Sequence, residues 1–263
     1  MRRFAFPALL LFILAFRPAG ISPSCTIGKT AGSFTTDNLG NVYLTQGTGI
    51  SKYNSQCSLQ KEYSNKSFGA ITSADATNPL RIVLFYRDFS RVVFLDNTMS
   101  QNGEAVQLES LGFPMTSLVA SSHDNGLWIF DQQNFELVRF NQNMQPEQRT
   151  GNLSQLLGID SLQPDFLLEK DNKLFLNNPS TGVLVFDVFG TYSKTIPVLN
   201  LKSLQVNDDH ILYFSSGNMH AQNILTGEET LYTEPNDAEA LDMRMEKSAV
   251  YVLKKSGLEI YNR

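Results

Sequence analysis

Three histidines, two cysteines, one tryptophan and a dense run of carboxylates are the residues of this chain that could carry chemistry. Histidine is the proton shuttle and common metal ligand of neutral pH. His123, His210 and His220 show no H-E-x-x-H spacing or other ligand pattern, and they read as turn residues. Glu228, Glu229, Glu234, Asp237, Glu239 and Asp242 crowd into 15 residues without one Lys or Arg among them. Carboxylates at that density bind Ca²⁺ when they alternate along a loop. These do not alternate, and the plainer reading is a solvated acidic face. No G-x-S-x-G elbow, phosphate-binding loop, C-x-x-C pair or S-x-D-x-G-x-T-W box occurs. One tryptophan, Trp128, gives a carbohydrate-stacking platform little to build on. The residues therefore predict no catalytic group, no metal and no cofactor.

The ends and the cysteines speak to compartment. Arg2 and Arg3 precede an apolar run over residues 4–16. A bilayer span needs about 20 residues, so this run has the form of a secretory signal peptide, assigned to residues 1–24. A cut anywhere from Ala19 to Ser24 fits. Its removal takes away Arg2, Arg3 and Arg17 and moves net charge from −5 to −8. An acidic domain is poorly suited to nucleic acid or to anionic lipid surfaces. Export places the protein in the periplasm, at an outer membrane or outside the cell, without a membrane span. In that oxidising setting Cys25 and Cys57 form a candidate disulfide. The rival is a lipoprotein anchor on Cys25, although "SPSC" only partly fits a lipidation signal.

The elements that would position these residues come from a repeat. "DNGLWIF" at 124–130 is a turn followed by an apolar–aromatic–apolar strand. Similar strands centre on Tyr43, Phe85, Trp128, Phe175, Tyr213 and Tyr251, spaced 42, 43, 47, 38 and 38 residues apart. A second element follows each: a strand ending in an apolar or aromatic residue and then Asn or Asp. Its copies are Tyr53-Asn54, Leu95-Asp96, Phe140-Asn141, Phe186-Asp187 and Tyr261-Asn262, with a degenerate Gln222-Asn223. A short apolar stretch opens each unit, before the turn cluster, and a looser strand ends it. Four antiparallel strands per unit and six units predict an all-β, six-bladed β-propeller over residues 25–263. The sixth unit lacks a fourth strand, so "CTIGKTAG" should complete the last blade and close the ring. Cys25 would then begin the closing strand, with Cys57 in a turn of blade one. Repetition by rotation makes each central aromatic a packing position, and Trp128 is expected to be buried.

"DNLGNVYLTQGTGISKYN" and "DNGLWIFDQQNFELVRFN" resemble NHL-type propeller repeats, which have D-x-x-G-N-[VI]-[YW]-[VL] followed by a strand ending in an aromatic and Asp or Asn. The resemblance extends over residues 34–262, with blades one and three the close matches. It implies the ring, and it is similar most of all to exported bacterial members. Such rings include protein-, glycan- and RNA-binding modules and lactone-processing relatives, so fold alone does not choose a function. The expectation is a non-enzymatic scaffold that binds a protein or cell-envelope partner through rim loops, as a monomer or within a complex. The loops between second and third strands nominate Arg87, Asp88, Phe89, Asp131, Phe135 and Asn178. The alternative is a small-molecule or glycan site, lactonase- or hydrolase-like, at the channel mouth.

Overall fold

The computed structural model describes residues 22–201, 203–233, 235–246 and 249–262. The segment assigned to a signal peptide lies outside them, apart from Ser22 to Ser24. Six four-stranded antiparallel sheets form the ring. Blade one is β2 (Ser33–Thr36), β3 (Val42–Gln46), β4 (Gly49–Tyr53) and β5 (Leu59–Ser64). Blade two is β6 (Ser73–Asp75), β7 (Ile82–Tyr86), β8 (Arg91–Leu95) and β9 (Val106–Gln107). Blade three is β10 (Thr116–Ser121), β11 (Leu127–Asp131), β12 (Glu136–Phe140) and β13 (Pro146–Arg149), followed by the short α1 (Leu153–Leu157). Blade four is β14 (Phe166–Lys170), β15 (Lys173–Asn178), β16 (Gly182–Asp187) and β17 (Tyr192–Ile196). Blade five is β18 (Gln205–Asn207), β19 (His210–Ser215), β20 (Asn218–Asn223) and β21 (Glu229–Tyr232). Blade six is β22 (Asp242–Glu246), β23 (Ala249–Lys254), β24 (Gly257–Asn262) and, at its outer edge, β1 (Cys25–Ile27). The N-terminal strand thus closes the ring, as the missing fourth strand required.

The turn chemistry explains the repeat. Asn54, Asp96, Asn141 and Asp187 each accept backbone N–H groups two and four residues ahead, and Asn223 those two and three ahead. Such side-chain-to-backbone bonds fix the tight turn from third to fourth strand. The residue before the first four caps packs into the seam with the preceding blade: Tyr53, Leu95, Phe140 and Phe186 are all buried, as is Tyr261 at the corresponding end of blade six's third strand. In blade one Asp37 caps the first turn, accepting from the Leu39 and Asn41 amides and from the Tyr43 hydroxyl. Gly40 sits there at φ +82°, a conformation that a side chain resists.

Six apolar clusters fill the six seams between blades. Successive strand residues face opposite neighbours, and this corrects the aromatic register. Tyr43, Trp128, Phe175 and Tyr251 all point to the following blade, and Trp128 is fully buried. Phe85 points the same way but sits two residues further along its strand, where Val83 takes the equivalent place. Tyr213 faces backwards to blade four, and Leu212 faces forwards. Blade five's aromatic therefore lies on the wrong side of its sheet to be a copy of Trp128.

Closure has two fastenings. Cys25 and Cys57 form a disulfide with Cα atoms 6.0 Å apart, tying the closing strand to the outer turn of blade one. A sulfur in a disulfide cannot carry a thioether-linked lipid, so this bond and a lipoprotein anchor on Cys25 exclude each other. Between blades five and six, Lys254 Nζ meets Asp237 at 2.6 Å and Glu259 at 2.7 Å. Burial opposes the Asp237 charge, but the Lys254 and Glu239 amide bonds outweigh it and hold its pKa below 3.8. A depressed carboxylate stabilises the fold above its unfolded pKa and stops doing so as pH falls through the folded one. Lys254→Met is therefore expected to cost about 1–3 kcal/mol at pH 7. The deficit should shrink below pH 3.8, as urea titrations across pH would show.

Candidate functional site

A four-stranded antiparallel blade sends its first-to-second and third-to-fourth turns to one face of the ring. The second-to-third turns and the blade connections go to the other. The six residues nominated from the sequence all lie on this second face, and they divide into two kinds. Arg87, Asp88 and Phe89 form one exposed turn, with Phe89 50% exposed. Asp131, Phe135 and Asn178 are spent on loop construction. Asp131 is buried and accepts from the Gln133 amide and Asn134 Nδ2. Asn178 is fully buried, accepts from the Gln163 amide and donates to Ser161 O and Thr181 Oγ1. Phe135, at φ +54°, packs against the blade three–four seam and offers its carbonyl to the Leu153 amide at the start of α1.

The exposed turn is stitched to the connection leading into blade three. Leu108 N donates to Ser90 O at 2.8 Å, and Ser90 Oγ donates to Pro114 O at 3.0 Å. Leu111 and Met115, 38% and 51% exposed, lie on that connection. Phe89, Leu111 and Met115 thus give one rim sector an apolar surface beside the charges of Arg87 and Asp88.

The channel cavity opens on the other face. A partly open cavity of about 470 Å³ lies among the inner turns, lined by Thr36, Asp37, Gln205, Arg244, Glu246 and Tyr251 with neighbouring turn residues. Glu246 Oε1 accepts from Thr36 Oγ1 and from Gln205 Nε2, joining blades one, five and six. Arg244 Nε donates to Thr36 Oγ1 at 3.2 Å. Desolvation lowers the Arg244 pKa, against the opposing pull of Asp242, Glu246 and Asp75. Tyr251 is pushed up to about 12, by burial first and then by Glu246 and Asp37. None of this was visible in the sequence, because Thr36 and Arg244 stand 208 residues apart.

A third polar cluster lies in the seam between blades three and four. Glu169, 6% exposed, accepts from Ser122 Oγ at 2.7 Å, the His123 amide at 2.8 Å and Trp128 Nε1 at 2.6 Å. His123 Nδ1 also meets it at 2.8 Å. Arg139 Nε donates to Ser122 Oγ at 3.0 Å, and its terminal nitrogens reach Asp124 and Glu147. Trp128 is thus both a packing group and a donor to a buried carboxylate.

The acidic run does not assemble. Glu229 bonds Tyr213 and His220, Asp237 holds Lys254, and Asp242 accepts from Ser203. Glu234 lies outside the described residues. Among the described residues no three His, Cys, Asp or Glu side chains are grouped to hold a metal ion. Nor, among them, is any helix long and apolar enough to cross a membrane.

No family model matches the chain, and no curated protein matches it. Solved structures do. A catalytically inactive H270A virginiamycin B lyase from Staphylococcus aureus, with quinupristin, superposes with TM-score 0.59 at 12% identity, over 90% of this chain and 81% of that one. The extracellular domain of the putative one-component system BT4673 from B. thetaiotaomicron gives 0.54 at 12%, over 87% of this chain and 32% of that one. BBS1N in complex with ARL6DN gives 0.53 at 12%, over 88% and 76%. The likeness is one of fold. A ring shared by a virginiamycin B lyase and a module in complex with ARL6DN leaves function to the residues of this chain.

Proposed function

We propose that this chain is an exported, NHL-like propeller that binds a protein or cell-envelope partner through its rim, without catalysis. The apolar sector of Phe89, Leu111 and Met115 beside Arg87 and Asp88 carries this reading. Exposed aromatic, Leu and Met side chains rimmed by charge are what a partner surface needs. The rigid ring holds them in place before binding, which lowers the ordering cost. The disulfide supports export, since such bonds persist in oxidising compartments. An extracellular domain and a protein-bound module among the similar folds are in keeping with it.

The test is affinity capture from the native envelope with the exported chain and with its Phe89→Asp/Met115→Asp variant. Loss of two central apolar anchors should cut recovery of a specific partner by about tenfold or more. Equal recovery by both proteins, or no specific partner with either, would remove the rim reading. The channel cavity favours the second reading, a small-molecule or glycan propeller with its site at the channel mouth.

A further inference from the structure

We infer that the partner of the rim sector is a second copy of this chain, docked about a two-fold axis through Phe89, Leu111 and Met115; this inference rests on the rim reading. Three short turns meet at blade two. The 3-10 helix Lys66–Phe68 enters it from blade one, Arg87–Phe89 joins its second and third strands, and Glu109–Leu111 leaves it towards blade three. The apolar group is held in place in advance. A Cβ on Gly69, at φ +72°, would come within 3.1 Å of the Phe89 ring, so that ring lies directly on the backbone of the incoming turn. Arg91 covers Phe68 at 5.0 Å, and the Leu108–Ser90 and Ser90–Pro114 bonds tie in the outgoing connection.

The charges select the occupant. Lys66, Arg87, Asp88 and Glu109 are all exposed, and among the described residues none of their side chains makes an ion pair or a hydrogen bond. They sum to zero in a chain whose net charge is −5. A uniformly acidic surface repels its own copy, and this neutral sector does not. The charges are also ordered. Lys66 stands on the blade-one side of the Phe89 turn and Glu109 on the blade-three side. An isologous contact pairs a patch with itself, reversed. The two-fold rotation therefore sets Lys66 of each copy against Glu109 of the other, twice per dimer, and buries the aromatic, Leu and Met side chains at the centre. An apolar core inside a polar rim is the anatomy of a protein interface. A strongly acidic or strongly basic partner would leave two of the four charges facing their own sign. The sector is small beside a permanent dimer interface, so the expected dissociation constant is micromolar, about 1–100 µM.

Sedimentation velocity of the exported chain from about 1 to 200 µM tests this. The wild type should pass from monomer to dimer across that range. Phe89→Asp/Met115→Asp, which alters two exposed side chains, should stay monomeric. Lys66→Glu should weaken association by about fivefold to tenfold, because it turns two attractive pairs repulsive, and Glu109→Lys should do the same. An equal mixture of these two single variants has both opposite-sign pairs again, so it should dimerise as tightly as wild type. No other occupant gives that reciprocal rescue, and it needs only exposed charges to change. A wild type still monomeric at the top of the range, a dimer that survives Phe89→Asp/Met115→Asp, or a mixture no tighter than its separate components would each overturn the second copy as occupant. If self-association fails while envelope capture still recovers a different protein through Phe89 and Met115, the rim reading stands and only the occupant changes; failure of both removes both.

Discussion

Glu169→Ala is expected to lower the unfolding free energy by about 3–5 kcal/mol, because it strips a buried seam of its shared acceptor. The Trp128 indole N–H, the Ser122 hydroxyl and the His123 amide all end on this one carboxylate. Its removal leaves the Trp128 and Ser122 donors buried without that acceptor, and an unsatisfied buried donor costs about 1–3 kcal/mol. Two blades are affected together, since the acceptor belongs to blade four and the donors to blade three. Chemical denaturation of wild type, Glu169→Gln and Glu169→Ala makes the comparison, and Glu169→Gln should fall between the other two. Trp128→Phe keeps a ring in the seam but loses the N–H. A double-mutant cycle with Glu169→Ala should return about 1–2 kcal/mol of coupling. A value near zero would mean that the tryptophan contributes by packing alone.

Removing the disulfide, as Cys25→Ser/Cys57→Ser, is expected to cost about 3–4 kcal/mol, the loop-entropy value for cysteines this far apart in sequence. The cross-link spans 32 positions. Its location sharpens the effect. The closing strand is only three residues long, and its register runs from Cys25 opposite Ile260 to Ile27 opposite Leu258. Without the cross-link, this short strand keeps blade six covered by its ladder and apolar contacts alone. Thermal unfolding with and without reductant should show a large shift in wild type and none in the double variant. Hydrogen exchange should localise the loss of protection to residues 25–27 and to β24. Equal stability of both forms would mean that the ladder alone closes the ring.

Local features were legible and distant ones were not. Asn54, Asp96, Asn141, Asp187 and Asn223 announced their turns because each turn is made within four residues of its cap. Those five turns, with a sixth unit ending at Tyr261-Asn262, were enough to give six blades, the fourth strand missing from the last, and a closing strand that brings Cys25 near Cys57. Tyr213 was misread because faces alternate along a strand. An aromatic one place late looks like a repeat in sequence and points to the other neighbour in space. The nominated rim residues divide by exposure. Arg87, Asp88 and Phe89 are open to solvent, whereas Asp131 and Asn178 brace their loops, and in a hairpin the two uses draw on the same residue types. Glu169 and Arg244 gave no sequence signal, since their partners lie 41 to 47 and 208 residues away.

The closing strand has a consequence for how the fold relates to its chain order. Ser24 N donates to Ile260 O at 2.7 Å, and Asn262 N donates to Ser24 Oγ at 3.0 Å. The two backbone segments therefore meet as closely as the arms of the hairpin turns that cap the other blades. A short linker there, with a new opening cut in the exposed Gly47-Thr48 turn of blade one, would give a circularly permuted protein with the same six sheets. Blade six is one sheet drawn from two distant stretches of chain, and the ring of sheets itself has no beginning.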